Sequence, residues 1–209
     1  MGSPDAVTET QSVGRGVREV RRLETRARLF EAALAEIGRS GLAGTDVSAI
    51  ASAAGVVRGT FYFHFPTKEH VLVELERNEE ARIVAELDVA QTDTDDLVSV
   101  LSLLVRHVIA AERRLGSVVF RDMLGLHFSA TRPVEDELTE HPLAEFVIAA
   151  ITDAQDAGQV PLEADPSELG VFFMTGLFAL LTIGIQDSAT ADAVMGRYAT
   201  TIVKGMETR

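Results

Sequence analysis

The sequence predicts an all-α protein of about nine helices. Apolar residues recur at three- and four-residue spacing through most of the 209 residues, and this spacing places them on one face of a helix. Glycine and proline separate the periodic segments, and no segment shows the alternation of apolar and polar residues that marks a convincing strand. Hydrophobic residues make up 46% of the chain, which is ample for a core.

The first three predicted helices form a helix-turn-helix arrangement. Gly41 stands where a left-handed cap would end the first helix, and Thr45 or Asp46 can cap the second. Gly55 makes the turn to a third helix, which covers about residues 58–63. The apolar face of the first helix consists of Phe30, Ala33, Leu34 and Ile37.

A fourth helix is predicted to open at Lys68, after the break made by Pro66 and Thr67. Both of its ends carry apolar residues, but residues 76–82 between them have no apolar face. A helix with such a polar middle often bridges two bodies across solvent, so we expect the domain boundary on this helix.

We expect three parts along the chain. They are a flexible basic N-terminal arm over residues 1–22, a helix-turn-helix domain over residues 23–70 and a larger helical domain over residues 71–209. The net charge is −13, yet basic and acidic residues are equal in number through residue 78. The acidic excess therefore lies later in the chain and leaves the first domain free to approach an anionic partner. The arginines of the arm are Arg15, Arg18, Arg21 and Arg22.

Further helices with apolar stripes are predicted in the larger domain. The last two cover about residues 166–186 and 191–206, and the first of these starts after a capping Asp165 and a proline. Residues 169–186 carry no charge and approach the length of a membrane-spanning helix. Their glycines and threonines, and the lack of a flanking basic cluster, favour instead a fully buried helix in a protein that does not enter a membrane.

Several kinds of reactive site are missing from the sequence. There is no cysteine, which excludes disulfides, thiolate metal sites and cysteine nucleophiles. There is also no HExxH motif, paired histidines, carboxylate cluster or nucleophile–base pair, so we expect no catalytic residue, no metal and no cofactor. No apolar run precedes Leu29, which favours a cytoplasmic protein without a signal peptide.

The third predicted helix carries side chains that suit contact with duplex DNA. The planar fork of Arg58 can pair with guanine, Gly59 lets the backbone come close, and Thr60 can touch a thymine methyl or a phosphate. Polar neighbours can donate hydrogen bonds to phosphate oxygens, whereas Phe61 and Phe65 are expected in the core. The candidate DNA-binding residues are Ser48, Val57, Arg58, Gly59, Thr60, Tyr62, Phe63, His64 and Lys68.

Residues 26–70 resemble the N-terminal domain of the TetR family of one-component bacterial regulators. Val57 departs from the family, which usually has a capping serine or threonine at this position, so we expect the third helix to start without a side-chain cap. The residues that carry the resemblance are Ala32, Ala33, Gly41, Val47, Ile50, Ala51, Ala54, Gly55, Val56, Gly59, Thr60, Tyr62, His64, Phe65 and Lys68.

The resemblance implies a homodimer that is formed by the last two helices of each subunit. Small residues in these helices allow close helix approach, although burial within the monomer is the alternative explanation. The candidate interface residues are Gly176, Ala179, Gly184, Val194, Tyr198 and Ile202. Two-fold symmetry then predicts a double-stranded DNA operator with an inverted repeat.

The resemblance also implies a pocket for a small-molecule effector among the middle helices. The candidate pocket residues are His107, Phe120, Arg121, Met123, Leu124, His127, Phe146, Phe172 and Met174. All of them could instead be ordinary core or surface residues, and His127 could be a hydrogen-bonded core histidine.

Taken together, these observations predict a ligand-responsive DNA-binding regulator, a repressor that a small, largely apolar molecule releases from its operator. Two alternatives remain open at this point. One is a helical carrier or enzyme with a vestigial helix-turn-helix, and the other is an activator of the same family.

Overall fold

The computed structural model describes residues 5–90, 96–133, 141–183 and 188–207. Within these ranges the chain forms nine α-helices and no strand, and a short 3-10 turn, Leu126–Phe128, follows the sixth helix. The helices are α1 (Asp5–Gly44), α2 (Val47–Ala53), α3 (Arg58–His64), α4 (Glu69–Ala90), α5 (Leu97–Leu115), α6 (Ser117–Gly125), α7 (Pro142–Asp156), α8 (Pro166–Ile183) and α9 (Ser188–Met206). The predicted all-α class is confirmed.

The chain divides into two compact units, Met1–Val71 and Leu72–Arg209. The first unit contains α1, α2 and α3, and the second contains nearly all of α4 together with α5 to α9. The division falls one residue after the domain boundary expected at residue 70.

The N-terminal arm is helical where the structure describes it. Helix α1 starts at Asp5, so residues 5–22 form its first part, and the flexibility expected of this arm stays a prediction. No proline interrupts this stretch, and Arg22 donates hydrogen bonds of 2.7 and 2.9 Å to the carboxylate of Glu19 one turn earlier. Pairs at this spacing stabilise a helix, and they offset part of the cost of the glycines in the arm.

A kink at Gly41 sets the end of α1. Its φ of 70° is left-handed, as predicted from the sequence, and a residue with a side chain would be strained there. The helix resumes for one more turn, and Thr45 then donates from Oγ1 to the Gly41 carbonyl at 2.7 Å.

The core of the first unit forms around two phenylalanines of the helix-turn-helix. Phe61 and Phe65 are buried with their ring centroids 5.7 Å apart, and Phe30 stacks on Phe65 at 6.3 Å. The prediction that Phe61 and Phe65 belong to the core is therefore confirmed. The other buried apolar residues of these three helices are Leu29, Ala33, Ile37, Ile50, Ala51 and Ala54.

The second unit is a helical bundle. Helix α5 is capped by Asp96, which accepts from the Ser99 N–H at 3.0 Å, and it packs against α6, α7 and α9. Helix α8 packs against α6, α7 and α9. The buried face of α5 consists of Leu97, Val100, Leu101, Leu104, Val105, Val108 and Ala111.

One side of the polar middle of α4 is buried, which differs from the expectation of a helix that bridges solvent. Glu76 is 2% exposed and Glu80 is 4% exposed. Both carboxylates meet histidine or arginine side chains from later parts of the same unit. Pairing of this kind lets a helix without an apolar face lie in an interior.

Helix α8 is only partly covered by its own chain, so the prediction of a fully buried helix is wrong for the single subunit. It is the one helix in the described ranges that is long and apolar enough to cross a membrane, with a mean hydropathy of 1.5, and 33% of its residues are buried. One face packs on neighbouring helices, while Val171, Phe172 and Ile183 remain exposed.

Candidate functional site

The turn between α2 and α3 fixes the position of α3. Asp46 accepts from the Ser48 N–H at 2.8 Å and so caps α2, as the sequence predicted. Gly55 has a left-handed φ of 69°, and the Val56 N–H then donates to the Ala51 carbonyl at 2.9 Å. These hydrogen bonds pair backbone groups at the start of α2 and in the turn after it. They hold the turn in one conformation and so fix the direction in which α3 starts.

One side of α3 is open to solvent and carries most of the predicted DNA contacts. Arg58, Gly59, Tyr62 and Phe63 are exposed, and Thr60 is half-buried. Arg58 donates from Nη2 to the Tyr62 hydroxyl at 3.2 Å, and its guanidinium lies 5.7 Å from the centroid of that ring. Because the two residues are one helical turn apart, this contact holds the arginine along the helix surface, with most of its donors free for a partner.

Two other predicted contacts are Ser48, which precedes this helix in the sequence, and His64, which is its last residue. Ser48 is exposed near the start of α2. His64 is half-buried, and burial together with the charges of Arg26 and Arg22 lowers the pKa of His64 from its ordinary value. A neutral imidazole still has one N–H to donate to a phosphate oxygen, without adding positive charge.

Lys68 has a different local role from the predicted phosphate contact. Its ammonium group donates to the Leu42 carbonyl and, at 3.2 Å, to the Ala43 carbonyl. These carbonyls belong to the last turn of α1, which has no basic residue of its own to neutralise them. Lys68 therefore joins the start of α4 to the end of α1.

Val57 precedes the first residue of α3 and gives it no side-chain cap, as the sequence predicted. Val57 is 74% exposed, and its φ of −81° and ψ of 152° are those of an ordinary N-cap residue. Val57→Thr is therefore expected to raise the free energy of unfolding by about 1 kcal/mol relative to Val57→Ala, because a hydroxyl can accept from the first free N–H groups of α3. Urea unfolding followed by circular dichroism measures this difference, and equal stabilities would show that α3 gains nothing from a cap.

A cavity of about 410 Å³ lies within the second unit. Its wall is formed by α4, the turn after α6, α7 and α8. The lining residues are Glu80, His127, Phe128, His141, Ala144, Glu145, Ile148, Ser167, Gly170, Val171, Met174, Thr175 and Phe178. The volume and the largely apolar wall are those of a small-molecule site.

A polar cluster forms one end of this cavity. Glu76 accepts from Arg132 Nη2 at 2.9 Å and also pairs with His127 Nε2. Glu80 Oε1 lies 3.4 Å from His141 Nδ1, and its Oε2 accepts from the Leu143 N–H at 3.4 Å. The two carboxylates stand one turn apart on α4, and of this cluster Glu80, His127 and His141 line the cavity.

The structure brings only part of the predicted effector pocket to this cavity. His127 and Met174 line it. Phe120, Met123 and Leu124 border a smaller void of about 20 Å³ deeper in the same unit. That void is too small for an effector, and these three side chains are ordinary core residues in the described structure.

Four other predicted pocket residues lie away from the cavity. His107 pairs through Nδ1 with Glu86 at 3.0 Å, and the exposed Arg121 donates back to the Ser117 carbonyl of its own helix. Phe146 does not line the cavity, and Phe172 is 58% exposed on the open face of α8. Sequence reasoning missed Glu80, because its burial becomes evident only from its partners in distant segments. The spacing of Glu76 and Glu80, one helical turn apart, was a feature of the sequence that could have indicated a shared polar site.

No three histidine, aspartate or glutamate side chains in the described residues are grouped in a way that could hold a metal ion.

Two of the predicted dimer residues face each other within one chain. A Cβ atom at Gly176 would meet the ring of Tyr198 at 3.0 Å, so the missing side chain allows α8 and α9 to approach. Tyr198 donates its hydroxyl to the Phe173 carbonyl at 2.5 Å. For this pair, burial within the monomer explains the small residue. Ala179, Val194 and Ile202 are half-buried, and Gly184 lies outside the described residues.

Burial raises the pKa of Tyr198 to about 12 from the ordinary 10. The folded state thus holds this proton more tightly, so the neutral phenol stabilises the fold below pH 10, and this contribution disappears as the pH rises towards 12. Tyr198→Phe removes the hydrogen bond of the hydroxyl, so its free energy of unfolding is expected to be about 1 kcal/mol lower than that of the wild type at neutral pH. Urea unfolding at neutral pH and at about pH 11 tests this, and a gap that does not narrow would contradict the assignment.

Comparison with known proteins shows a likeness to bacterial regulators over the first unit. Residues 29–75 match the model of bacterial regulatory proteins of the tetR family. The HTH-type transcriptional regulator AcrR of Shigella flexneri is 34% identical over 87 residues, which are 41% of this chain and 40% of that protein. The match therefore spans less than half the length of that relative.

A second relative extends the likeness beyond the helix-turn-helix. The HTH-type transcriptional repressor SCO4008 of Streptomyces coelicolor is 28% identical over 137 residues, which are 65% of this chain and 67% of that protein.

The fold of most of the chain is similar to that of a solved regulator. The crystal structure of Thermus thermophilus FadR, a TetR family transcriptional repressor in complex with lauroyl-CoA, superposes with a TM-score of 0.72 at 22% identity, over 88% of this chain and 96% of that chain. Residues 29–75 are thus similar to the helix-turn-helix of bacterial regulatory proteins of the tetR family, and the fold around them is similar to that of a TetR family repressor.

Proposed function

We propose that this protein is a ligand-responsive transcriptional repressor that binds an inverted-repeat operator as a homodimer and is released by a small, largely apolar molecule. The observation that carries the proposal is the open surface of α3, on which Arg58 is held beside Tyr62 on a turn with satisfied backbone bonds. The repressor SCO4008 and the FadR structure support it as similar proteins. We place the protein in the cytoplasm and assign it no catalytic activity.

In the proposed DNA complex, α3 lies in the major groove. Arg58 reads a guanine edge through its planar fork, while Tyr62 and Ser48 donate to phosphate oxygens. The exposed Arg18 and Arg21 on the extended α1 add positive charge on the approach to the helix-turn-helix. This local basic surface supplies phosphate binding in a chain whose net charge is −13.

The open face of α8 supports the proposed dimer. Val171, Phe172 and Ile183 are large apolar residues exposed on a helix whose other face is packed. A second copy of α8 and α9 would remove this apolar surface from water. The dimer would then present two copies of α3 to an operator with half-sites about one helical turn apart.

The cavity in the second unit supports the proposed effector site. A ligand shifts an equilibrium only by its differential affinity for two states, and coupling between sites is typically about 1–3 kcal/mol. We propose that a molecule in this cavity favours a dimer geometry that does not fit the operator.

Selection of binding sequences from random duplex DNA with the purified full chain tests the proposal. The expected result is an enriched inverted repeat, with half-sites about one helical turn apart and an affinity that falls steeply with salt. A well-folded dimer that selects no sequence at low salt would overturn the repressor function and favour a helical carrier. An inverted repeat located upstream of a promoter whose output rises with the protein would indicate an activator.

A further inference from the structure

The lysine, arginine, aspartate and glutamate residues that could give the cavity wall a charge are represented, in the described part of the chain, only by glutamate. Glu80 and Glu145 both line it, and no lysine or arginine is found among the described residues of its wall. The cavity therefore offers a negative potential to whatever enters it, and its low-dielectric walls strengthen that potential.

The two buried carboxylates of the polar cluster, Glu76 and Glu80, differ in how well their charge is compensated. Glu76 accepts a 2.9 Å hydrogen bond from Arg132 and also pairs with His127. Glu80 is 4% exposed, and its contacts with His141 and with the Leu143 N–H are both 3.4 Å long. Those contacts lie beyond the usual range of strong N–H···O hydrogen bonds, and an ionised carboxylate can accept about four hydrogen bonds.

A carboxylate in this position favours a ligand that brings a cation. Burying an ionised group without adequate partners is costly, and hydrogen bonds from a charged donor are roughly twice as strong as neutral ones. An ammonium group beside Glu80 would supply both the missing charge and the missing donors. A ligand carboxylate or phosphate in the same place would face Glu80 and Glu145 across an apolar space.

The remaining wall determines what the rest of the ligand must be. Phe128, Ile148, Val171, Met174 and Phe178 are apolar, and the ring centroid of His127 lies 4.7 Å from that of Phe178. This wall suits an apolar or aromatic body joined to the polar end.

We propose that the cavity takes an organic cation, a compact apolar or aromatic molecule with a protonated amine that binds Glu80. The inference rests on the proposed function, since it names the chemical class of the effector for the same site. The proposed ligand has the opposite charge to the anionic acyl-CoA that the similar FadR holds in its complex with lauroyl-CoA.

Three probes of nearly equal shape test the charge preference directly. They are 1-naphthylmethylamine, 1-naphthalenemethanol and 1-naphthoate, and their affinities are measured by calorimetry with the full chain. The amine is expected to bind at least about tenfold more tightly than the alcohol, and the carboxylate more weakly than the alcohol. A carboxylate that binds most tightly, three equal affinities, or no binding of the amine below millimolar concentration would each overturn the proposal.

A variant assigns the preference to Glu80. Glu80→Gln keeps an acceptor for the Leu143 N–H and is expected to lower amine affinity about tenfold while leaving alcohol affinity within about twofold. Asp88→Asn removes the same charge from an exposed position on α4 and should change neither affinity. Equal losses for amine and alcohol would show that Glu80 only supports the fold, and the proposal would then fail.

Measurement of operator binding distinguishes failure of this inference from failure of the proposed function. If the protein binds its operator but shows no preference for the amine, only the proposal of a cationic effector is rejected. Loss of operator binding in the unliganded wild type rejects the repressor proposal, whatever the probes do.

Discussion

Arg58→Ala is expected to weaken binding of the homodimer to its operator by about 10²- to 10⁴-fold. Each subunit would lose one base contact worth roughly 1–3 kcal/mol, and the dimer would lose two. The fold should be unaffected, because Arg58 is exposed and its contact with Tyr62 lies on the helix surface. Titration of labelled operator at fixed salt measures the loss.

The pattern of the loss distinguishes base reading from phosphate binding. If Arg58 reads guanine, the variant should tolerate every base at one position of each half-site and keep its discrimination elsewhere. Arg106→Ala removes an exposed arginine from α5 in the second unit and should leave operator affinity unchanged. An equal loss of affinity on all DNA sequences would show that Arg58 contacts only phosphate.

The helix-turn-helix was the part of the molecule most open to prediction from sequence. Its structure depends on short-range signals: Asp46 caps α2, Gly55 supplies a left-handed turn, and Val57 leaves α3 uncapped. The apolar spacing around Phe61 and Phe65 indicated the core. The family match over residues 29–75 confirms the resemblance that these positions carried.

The effector cavity was much less predictable because its wall is assembled from distant segments. From the sequence, Glu76 is expected to be exposed in a polar stretch, and its burial is explained by Arg132 and His127, which both come from segments more than a helix away. Phe172 reads as a core or pocket residue, yet the register of α8 leaves it on the open face. Periodicity identifies an apolar stripe, but it does not say which neighbour covers each residue.

Gly176 shows a related limit. A small residue on an apolar helix indicates close approach of another helix, and the sequence cannot say whether that helix comes from the same chain. In the structure the approaching residue is Tyr198 of α9 in the same subunit. The proposed dimer contact therefore moves to the exposed face of α8, where Phe172 is its largest side chain.

Phe172→Glu is expected to dissociate the dimer and, with it, high-affinity operator binding. Phe172 is 58% exposed in the single chain, so the monomer should fold normally with glutamate there. At a two-fold interface the change would place a charge from each subunit in an apolar surface, at a cost of several kcal/mol. The dimer dissociation constant should rise at least about 100-fold, as measured by sedimentation velocity.

The affinity for the operator should fall because avidity is lost, while each contact of α3 with DNA stays the same. A monomer reaches one half-site only, so the gain from joining two binding modules disappears while α3 remains unaltered. Leu162→Glu is the matched control, since Leu162 is also exposed, at 79%, but lies between α7 and α8 and is not part of α8. A Phe172→Glu protein that stays dimeric and keeps its operator affinity would place the dimer contact on another surface, because an apolar helix face buried between two subunits could not accommodate two unpaired carboxylates without a measurable cost.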